Sequence, residues 1–320
     1  MEISVIVPTY RRPQLLKKCL AALLKQRFNR RQYEIIVVSD GPDNDTRQLI
    51  RELRDGYKRI RFFQLPLKKG PAAARNFGWL NAKADIIAFT DDDCLPDEQW
   101  LAEIHHNISP SSLQAITGKV IVPRTNRPTD YAKNTAGLEN ADFVTANCAC
   151  SKAVLLRTGG FDEQFSMAWR EDSDLEFKLI SQRIPVKKVN NAVVVHPVRD
   201  AKWGVSIKDQ KKTLYNALLY KKYPELYRQK IQPSPPIIYY AIIAAFVCAL
   251  AGFVTDAKAI ALTGLMIWLT LTIYFTGKRL YAADHSPTHI AEMVVTSFII
   301  PFLSIYWQWY GAIKYKVLFI

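Results

Sequence analysis

Apolar positions along the chain follow two different rules. In the first two hundred residues, short runs of Ile, Val and Phe alternate with stretches whose Leu and Ala recur at helical spacing. Beyond residue 236 the apolar positions merge into long stretches with almost no charge. The short runs predict strands at 3–7, 34–38, 60–64 and 86–90. Leu15, Leu16, Leu20, Leu23 and Leu24 predict a helix over 12–25, and further helices follow at 46–54 and 72–82. Pro71 can open the last of these, because proline suits the first helical position. This alternation predicts an α/β fold with a largely parallel, Rossmann-like sheet and helices on both faces. Such sheets bind ligands at the carboxyl ends of their strands. Thr9 and Tyr10, Asp40, and the run Asp91-Asp92-Asp93 fall at those ends.

The second half is less regular. A helix is predicted at 100–106, a strand at 115–122, and a helix at 174–181 with Leu175, Leu179 and Ile180 on one side. Residues 185–195 read as one or two strands ending at His196. Residues 124–138 show no clear period and read as a loop. No internal repeat is found.

The long apolar stretches at 237–254 and 257–276 are near the minimum length that spans a bilayer. Their connector, Thr255-Asp256-Ala257-Lys258, is short enough to make them a hairpin. Lys278 and Arg279 follow, which by the positive-inside rule returns the chain to the cytoplasm. A third stretch at 293–313 carries Pro301 and the cluster Tyr306-Trp307-Gln308-Trp309-Tyr310, then Lys314 and Lys316. It reads as re-entrant, interfacial or spanning; buried core helices are the plainer alternative for all three. Gln232-Pro233-Ser234-Pro235-Pro236 marks the boundary before them. The expected organisation is a catalytic domain over 1–215, a juxtamembrane linker over 216–236 and a membrane segment over 237–320.

Composition narrows the classes. Hydrophobic residues make up 49% and charged residues 22%, which excludes a disordered chain. The net charge of +14 comes from 43 Lys and Arg against 29 Asp and Glu. The basic residues are scattered and form no known nucleic-acid motif. With apolar helices next to them, they fit attraction to membrane lipid headgroups or a solvated basic face. The five cysteines, Cys19, Cys94, Cys148, Cys150 and Cys248, are odd in number and lack paired spacing, so no disulfide framework is expected. Cys148 and Cys150 lack the second pair of a zinc site. The N-terminus runs straight into a strand, with no signal-peptide pattern. The catalytic domain is therefore expected to face the cytoplasm, on a bacterial inner membrane.

Four groups of residues carry candidate chemistry. Asp91 and Asp93 point to one side if the strand conformation persists. Such carboxylates suit Mg²⁺ or Mn²⁺, which take one or two of them plus substrate phosphates. The same run also fits an acidic turn before Pro96. Glu171-Asp172-Ser173-Asp174 opens a helix, which fits ordinary capping or a general base kept ionised by the helix N-terminus. His196 reads as structural, or as a ligand beside an acidic metal site. Residues 69–76 put a Gly-Pro turn before an alanine-rich helix, a place that attracts phosphate.

Together these residues resemble the family-2 glycosyltransferases, which have the GT-A fold. Val5-Ile6-Val7-Pro8-Thr9-Tyr10-Arg11-Arg12 matches their opening and Val37-Val38-Ser39-Asp40-Gly41 their second-strand motif. Gly70 through Asn76 matches Gly-x-x-x-Ala-Arg-Asn, and Phe89-Thr90-Asp91-Asp92-Asp93 the Asp-x-Asp region. Gly159-Gly160-Phe161-Asp162-Glu163 and Glu171-Asp172-x-Asp174-Leu175 match the acceptor-side motifs. The six follow the family's order over roughly residues 3–200.

The resemblance implies a nucleotide-sugar donor, with UDP the commonest nucleotide, and a divalent metal. Thr9 and Asp40 would hold the base with Pro8 and Tyr10 beside them. Asp91 would contact the ribose side with Asp92 next to it, and Arg75 would organise the acidic site. Asp93 would bind the metal, with His196 a further contact. Asp172 would be the base, with Glu171 beside it on the acceptor and Gly160 on the acceptor side. Trp169 fits stacking on a sugar ring or core packing equally. The Gln-x-x-Arg-Trp motif of processive synthases is absent; residues 199–203 only loosely resemble it. A nucleotidyltransferase or a non-catalytic membrane scaffold on the same fold are the rival expectations. The membrane segment suggests a lipid-linked or glycan acceptor.

Overall fold

Eight strands form a single mixed sheet in the order β3-β2-β1-β4-β7-β6-β8-β5. They are β1 (Ile3–Thr9), β2 (Tyr33–Ser39), β3 (Ile60–Gln64), β4 (Ile86–Phe89), β5 (Leu95–Pro96), β6 (Ala115–Ile121), β7 (Cys148–Ser151) and β8 (Val186–Val195). The first four run parallel, as the strand–helix alternation predicts. β7 is antiparallel to both β4 and β6, β6 is parallel to β8, and β5 is antiparallel to β8. This computed structural model describes residues 1–54 and 56–319. The residues divide into one unit of Met1–Pro123 with Ala136–Val198, and another of Arg124–Thr135 with Arg199–Ile320.

The sheet lies in the first unit and is covered on both faces, which is why β1 and β2 are buried along their whole length. Ile3, Val5 and Val7 join one apolar layer while Ile6 joins the other, the alternation expected of a strand. Helices Pro13–Leu24 and Trp100–Asn107 contribute to the first layer; Pro71–Leu80 and Glu171–Ser181 contribute to the second. Helix Pro71–Leu80 sits very close to the sheet. A Cβ on Gly78 would stand 2.5 Å from Ile6 Cγ2, so only small residues allow that approach.

Residues 185–195 form one strand, with an irregularity that the hydrophobic pattern does not reveal. Gly118 of β6 pairs with Val189, but the next residue, Lys119, pairs with Val193. Asn147 fills the resulting gap. Its Nδ2 donates to the carbonyls of Lys119 and Ala192, at 2.9 and 2.8 Å, and its Oδ1 accepts from Trp100 Nε1 at 2.8 Å. A Cβ on Gly118 would lie 2.3 Å from the Ala192 oxygen, so the position requires glycine. Beyond the irregularity β8 runs on to pair Val195 with Leu95. That register brings His196 beside the acidic run that ends β4.

The second unit is helical. Ile237–Val254, Lys258–Leu280 and Pro287–Tyr315 are each long and apolar enough to cross a membrane. The first two form the expected hairpin, held by close backbone approach: a Cβ on Gly264 would lie 2.5 Å from the Ala249 nitrogen. Phe253, Val254 and Ile273 stay largely exposed. The third stretch is one continuous helix of 29 residues that passes through Pro301.

Two segments carry more structure than their sequence pattern predicts. Residues 216–236, read as a linker, contain most of helix Leu214–Lys222 and all of Pro224–Lys230. Residues 124–138, read as a loop, contain helix Asp130–Ala136. Its order comes from tertiary contacts rather than from an apolar face. Asp130 pairs with the buried Arg279 at 2.8 Å, and Arg279 also donates to Thr296 at 2.6 Å and Ser297 at 3.1 Å. Long-range charge pairing of this kind leaves no periodic signal.

Asn147→Ala will strand an indole N–H and two backbone carbonyls inside the protein. At about 1–3 kcal/mol for a buried group left unsatisfied, the variant is expected to lose roughly 2–4 kcal/mol. Thermal melting of the full chain in detergent measures this. An unchanged midpoint would show that Asn147 does not hold the irregularity in place.

Candidate active site

Three carboxylates leave the end of β4 in one turn, and each has a different partner. Asp92 accepts from Thr9 Oγ1 at 2.7 Å and from Arg12 Nη1 at 3.2 Å. It is almost fully buried, and burial raises its pKa against the opposing pull of Arg12 and Thr9. Asp91 accepts from Arg75 Nη2 at 2.7 Å. The buried carboxylate of Asp93 faces His196, with 3.8 Å between Oδ1 and Nε2. Arg12 and Arg75 offset two of the three like charges at this strand end.

Arg75 reaches in from helix Pro71–Leu80 and is 3% exposed. Its Nη1 donates to Glu171 Oε1 at 3.1 Å while Nη2 holds Asp91, and the guanidinium lies 5.6 Å over the Phe161 ring. Burial works against its charge, but Asp91 and Glu171 outweigh that and raise its pKa. On Glu171 burial also dominates and raises the pKa, Arg75 opposes the rise, and Asp172 adds to it. Asp172 differs from its neighbour. It is half-buried on the first turn of helix Glu171–Ser181, and its Oδ1 accepts from the Ser173 amide at 2.7 Å. The chain enters that helix through Arg170 at φ 73°, a left-handed conformation uncommon for a side-chain-bearing residue.

The nucleoside-side candidates sit at the ends of β1 and β2. Pro8 and Thr9 are buried, and Tyr10 is half-buried with Lys68 Nζ 4.7 Å from its ring centre. Asp40 is turned toward the next loop, where it accepts from the amides of Lys69 at 2.7 Å and Gly70 at 2.9 Å. Gly70 has φ 104°, and a Cβ there would stand 2.4 Å from the Ser166 oxygen. Asp40 and Gly70 together fix the start of the helix that carries Arg75.

On the other side, Gly160 packs against Asn76 and Trp79, where a Cβ would come within 2.8 Å of both side chains. Trp169 is one-third exposed, with the Arg170 guanidinium 4.6 Å over its ring. Ligand atoms of Asp91, Asp93, Cys94 and His196 all lie within 4.8 Å of one another. Two carboxylates and an imidazole suit a Mg²⁺ or Mn²⁺ ion. His196 Nδ1 lies 3.3 Å from the Pro197 carbonyl. A carbonyl can only accept, so an N–H at Nδ1 leaves the lone pair of Nε2 facing Asp93.

Three residues enter the site without having been singled out from sequence. Arg12 compensates Asp92, and its position just past β1 was the available signal. Asn76 Nδ2 donates to the Phe161 carbonyl at 2.9 Å and to Glu163 at 3.0 Å, while its Oδ1 accepts from the Phe161 amide. It lies in a matched motif but looks like an ordinary polar helix residue. Cys94, directly after the acidic run, is fully buried, and burial, with Asp91 and Asp93 adding, pushes its thiol well above the usual range.

Comparison with known proteins bears on the family and the fold. Residues 4–163 match the family described as glycosyl transferase family 2. The chain is 32% identical over 118 residues, 37% of its length, to glycosyltransferase AglE of Haloferax volcanii. It is 36% identical over 93 residues, 29% of its length, to a Campylobacter jejuni protein named GalNAc(5)-diNAcBac-PP-undecaprenol beta-1,3-glucosyltransferase. The matched stretches span only 39% and 29% of those two relatives. Among solved structures, the mannosyltransferase PcManGT of Pyrobaculum calidifontis, in complex with GDP-Man and Mn²⁺, is similar with a TM-score of 0.56 at 17% identity. That likeness covers 98% of this chain and 87% of the other. The fold is GT-A, and with half of its residues matching the family, the chain belongs to glycosyl transferase family 2.

Proposed function

We propose that this chain transfers a sugar from a nucleotide-activated donor, a UDP-sugar first among them, to a hydroxyl of a lipid-linked or glycan acceptor, with inversion at the anomeric carbon. The observation that carries the proposal is the contrast between two adjacent carboxylates. Glu171 is buried against Arg75, while Asp172 is half-buried on a helix N-terminus. A base must reach its substrate and stay ionised. Asp172 has both the access and the favourable helix end. Glu171 serves to fix that helix against Arg75.

In this reading Asp172 takes the proton of the acceptor hydroxyl as its oxygen attacks the anomeric carbon, and the nucleoside diphosphate departs from the opposite face. Pro8, Thr9, Tyr10 and Asp40 shape the nucleoside end. Asp92 holds the loop that presents Asp91 on the ribose side, and Arg75 bridges Asp91 and Glu171. Asp91, Asp93 and His196 would hold a Mg²⁺ or Mn²⁺ ion, which supplies charge neutralisation for the departing diphosphate when bound. The Mn²⁺ in the mannosyltransferase complex supports that assignment.

The acceptor side rests on two supports. One relative's name carries an undecaprenol diphosphate, and three helices here are long and apolar enough to cross a membrane. Lys278 and Arg279, at the end of the second helix, favour a cytoplasmic catalytic unit. Gly160 and Trp169 belong to the acceptor side in this reading.

Asp172→Asn is expected to lower transfer about 10²- to 10⁴-fold, the usual worth of a general base, while nucleotide affinity stays near the original value. Release of nucleoside diphosphate with membrane extract as acceptor measures the first, and calorimetry with UDP and Mn²⁺ the second. Turnover at the original rate would remove Asp172 from its role. Asp93→Ala is expected to weaken metal-dependent UDP binding by about tenfold or more. Unchanged affinity would take Asp93 out of the metal centre.

A further inference from the structure

A cation held by Asp91, Asp93 and His196 would meet one more side chain that hard-cation chemistry leaves unused. Resting on that reading of the metal centre, we propose that Cys94 is a further ligand. The four side chains then form a mixed oxygen, nitrogen and sulfur site that takes a thiophilic metal of the zinc class in competition with Mg²⁺ or Mn²⁺.

The backbone builds this arrangement twice over. The Cys94 amide donates to the Asp91 carbonyl at 3.1 Å, a tight turn that folds Cys94 back toward the acidic run. Leu95 pairs antiparallel with Val195, so one step along the same register sets Cys94 opposite His196. As a result the Cys94 sulfur lies within 4.8 Å of ligand atoms from Asp91, Asp93 and His196. Cys94, Asp93 and His196 are all buried, which shields such a site from water. Tetrahedral zinc, with bonds of about 2.0 Å to N or O and about 2.3 Å to S, needs ligand atoms roughly 3.3–3.8 Å apart. The widest separation here must close by about 1 Å, within the reach of side-chain rotation. Cys19 is the other buried thiol nearby, but its sulfur is directed at the Asp91 carbonyl at 3.4 Å.

The donor set has a consequence for the reaction. Oxygen and imidazole ligands serve magnesium and manganese, whereas thiolate selects the softer metals. Ligation by Cys94 releases its thiol proton to solvent. Four protein ligands close a zinc coordination sphere, whereas three leave a position open. Zinc held by all four side chains would leave no coordination position for the donor diphosphate, and would inhibit transfer.

The test uses the full chain in detergent, stripped of metal and titrated with Co²⁺ as a spectroscopic probe. A thiolate-to-cobalt absorption in the near ultraviolet is expected, lost in Cys94→Ser and kept in Cys248→Ser. In parallel, Cys94→Ser should weaken Zn²⁺ binding about tenfold or more and change Mn²⁺ binding by no more than about twofold. A band that survives Cys94→Ser overturns the proposal. Equal losses of Zn²⁺ and Mn²⁺ also overturn it, because they would show Cys94 only supporting the fold of the site. If the native chain binds Mn²⁺ but gives no thiolate band, Cys94 is no ligand and the metal centre stands. If it binds neither metal, the reading of the centre fails as well.

Discussion

Arg75 is a guanidinium buried to 3% exposure with a carboxylate at each end, Asp91 from the end of β4 and Glu171 from the start of helix Glu171–Ser181. Taking these charges out of water costs several kcal/mol for each ion, and only close pairing offsets it. The two acidic segments lie far apart in sequence and would repel if brought together unaided. The guanidinium between them makes their approach favourable. Everything around it serves to place that one side chain. Asp40 and Gly70 fix the start of its helix, Asn76 ties the helix to residues 161–163, and Gly78 lets the helix settle onto the sheet.

That constraint orders the rest of the site. With Asp91 and Glu171 held by Arg75, Asp93 faces His196 and Asp172 stays accessible. The irregularity at Gly118 and Lys119 belongs to the same scheme, because it carries β8 on to pair with β5. The second unit is held by a comparable device: Arg279 is buried and paired with Asp130, which gives order to a segment with no apolar pattern. In both units a buried arginine joins stretches of chain that local propensity would not bring together.

The legible part of the sequence was the part governed by period. Residues 60–64 and the other early strands, the helices between them and the apolar hairpin all follow from side-chain alternation or helical spacing. The acidic run and the Glu171-Asp172 pair stood out because the chemistry needs those residue types. What stayed hidden depends on distance in space. Arg12 on Asp92, Asn147 at the irregular pairing and Cys94 opposite His196 are set by strand order and register. A chain read one residue at a time does not contain that register. The helix at Asp130–Ala136 was missed for the same reason.

The central claim is that Arg75 and Glu171 act as one unit. The most direct measurement is a double-mutant cycle of Arg75→Met and Glu171→Gln, read as thermal midpoints of the full chain in detergent. Either change alone disturbs the buried charge balance; together they remove the Arg75–Glu171 pair. The double variant is therefore expected to be less destabilised than the sum of the single ones, with a coupling on the order of 1–3 kcal/mol. Strict additivity would contradict the account.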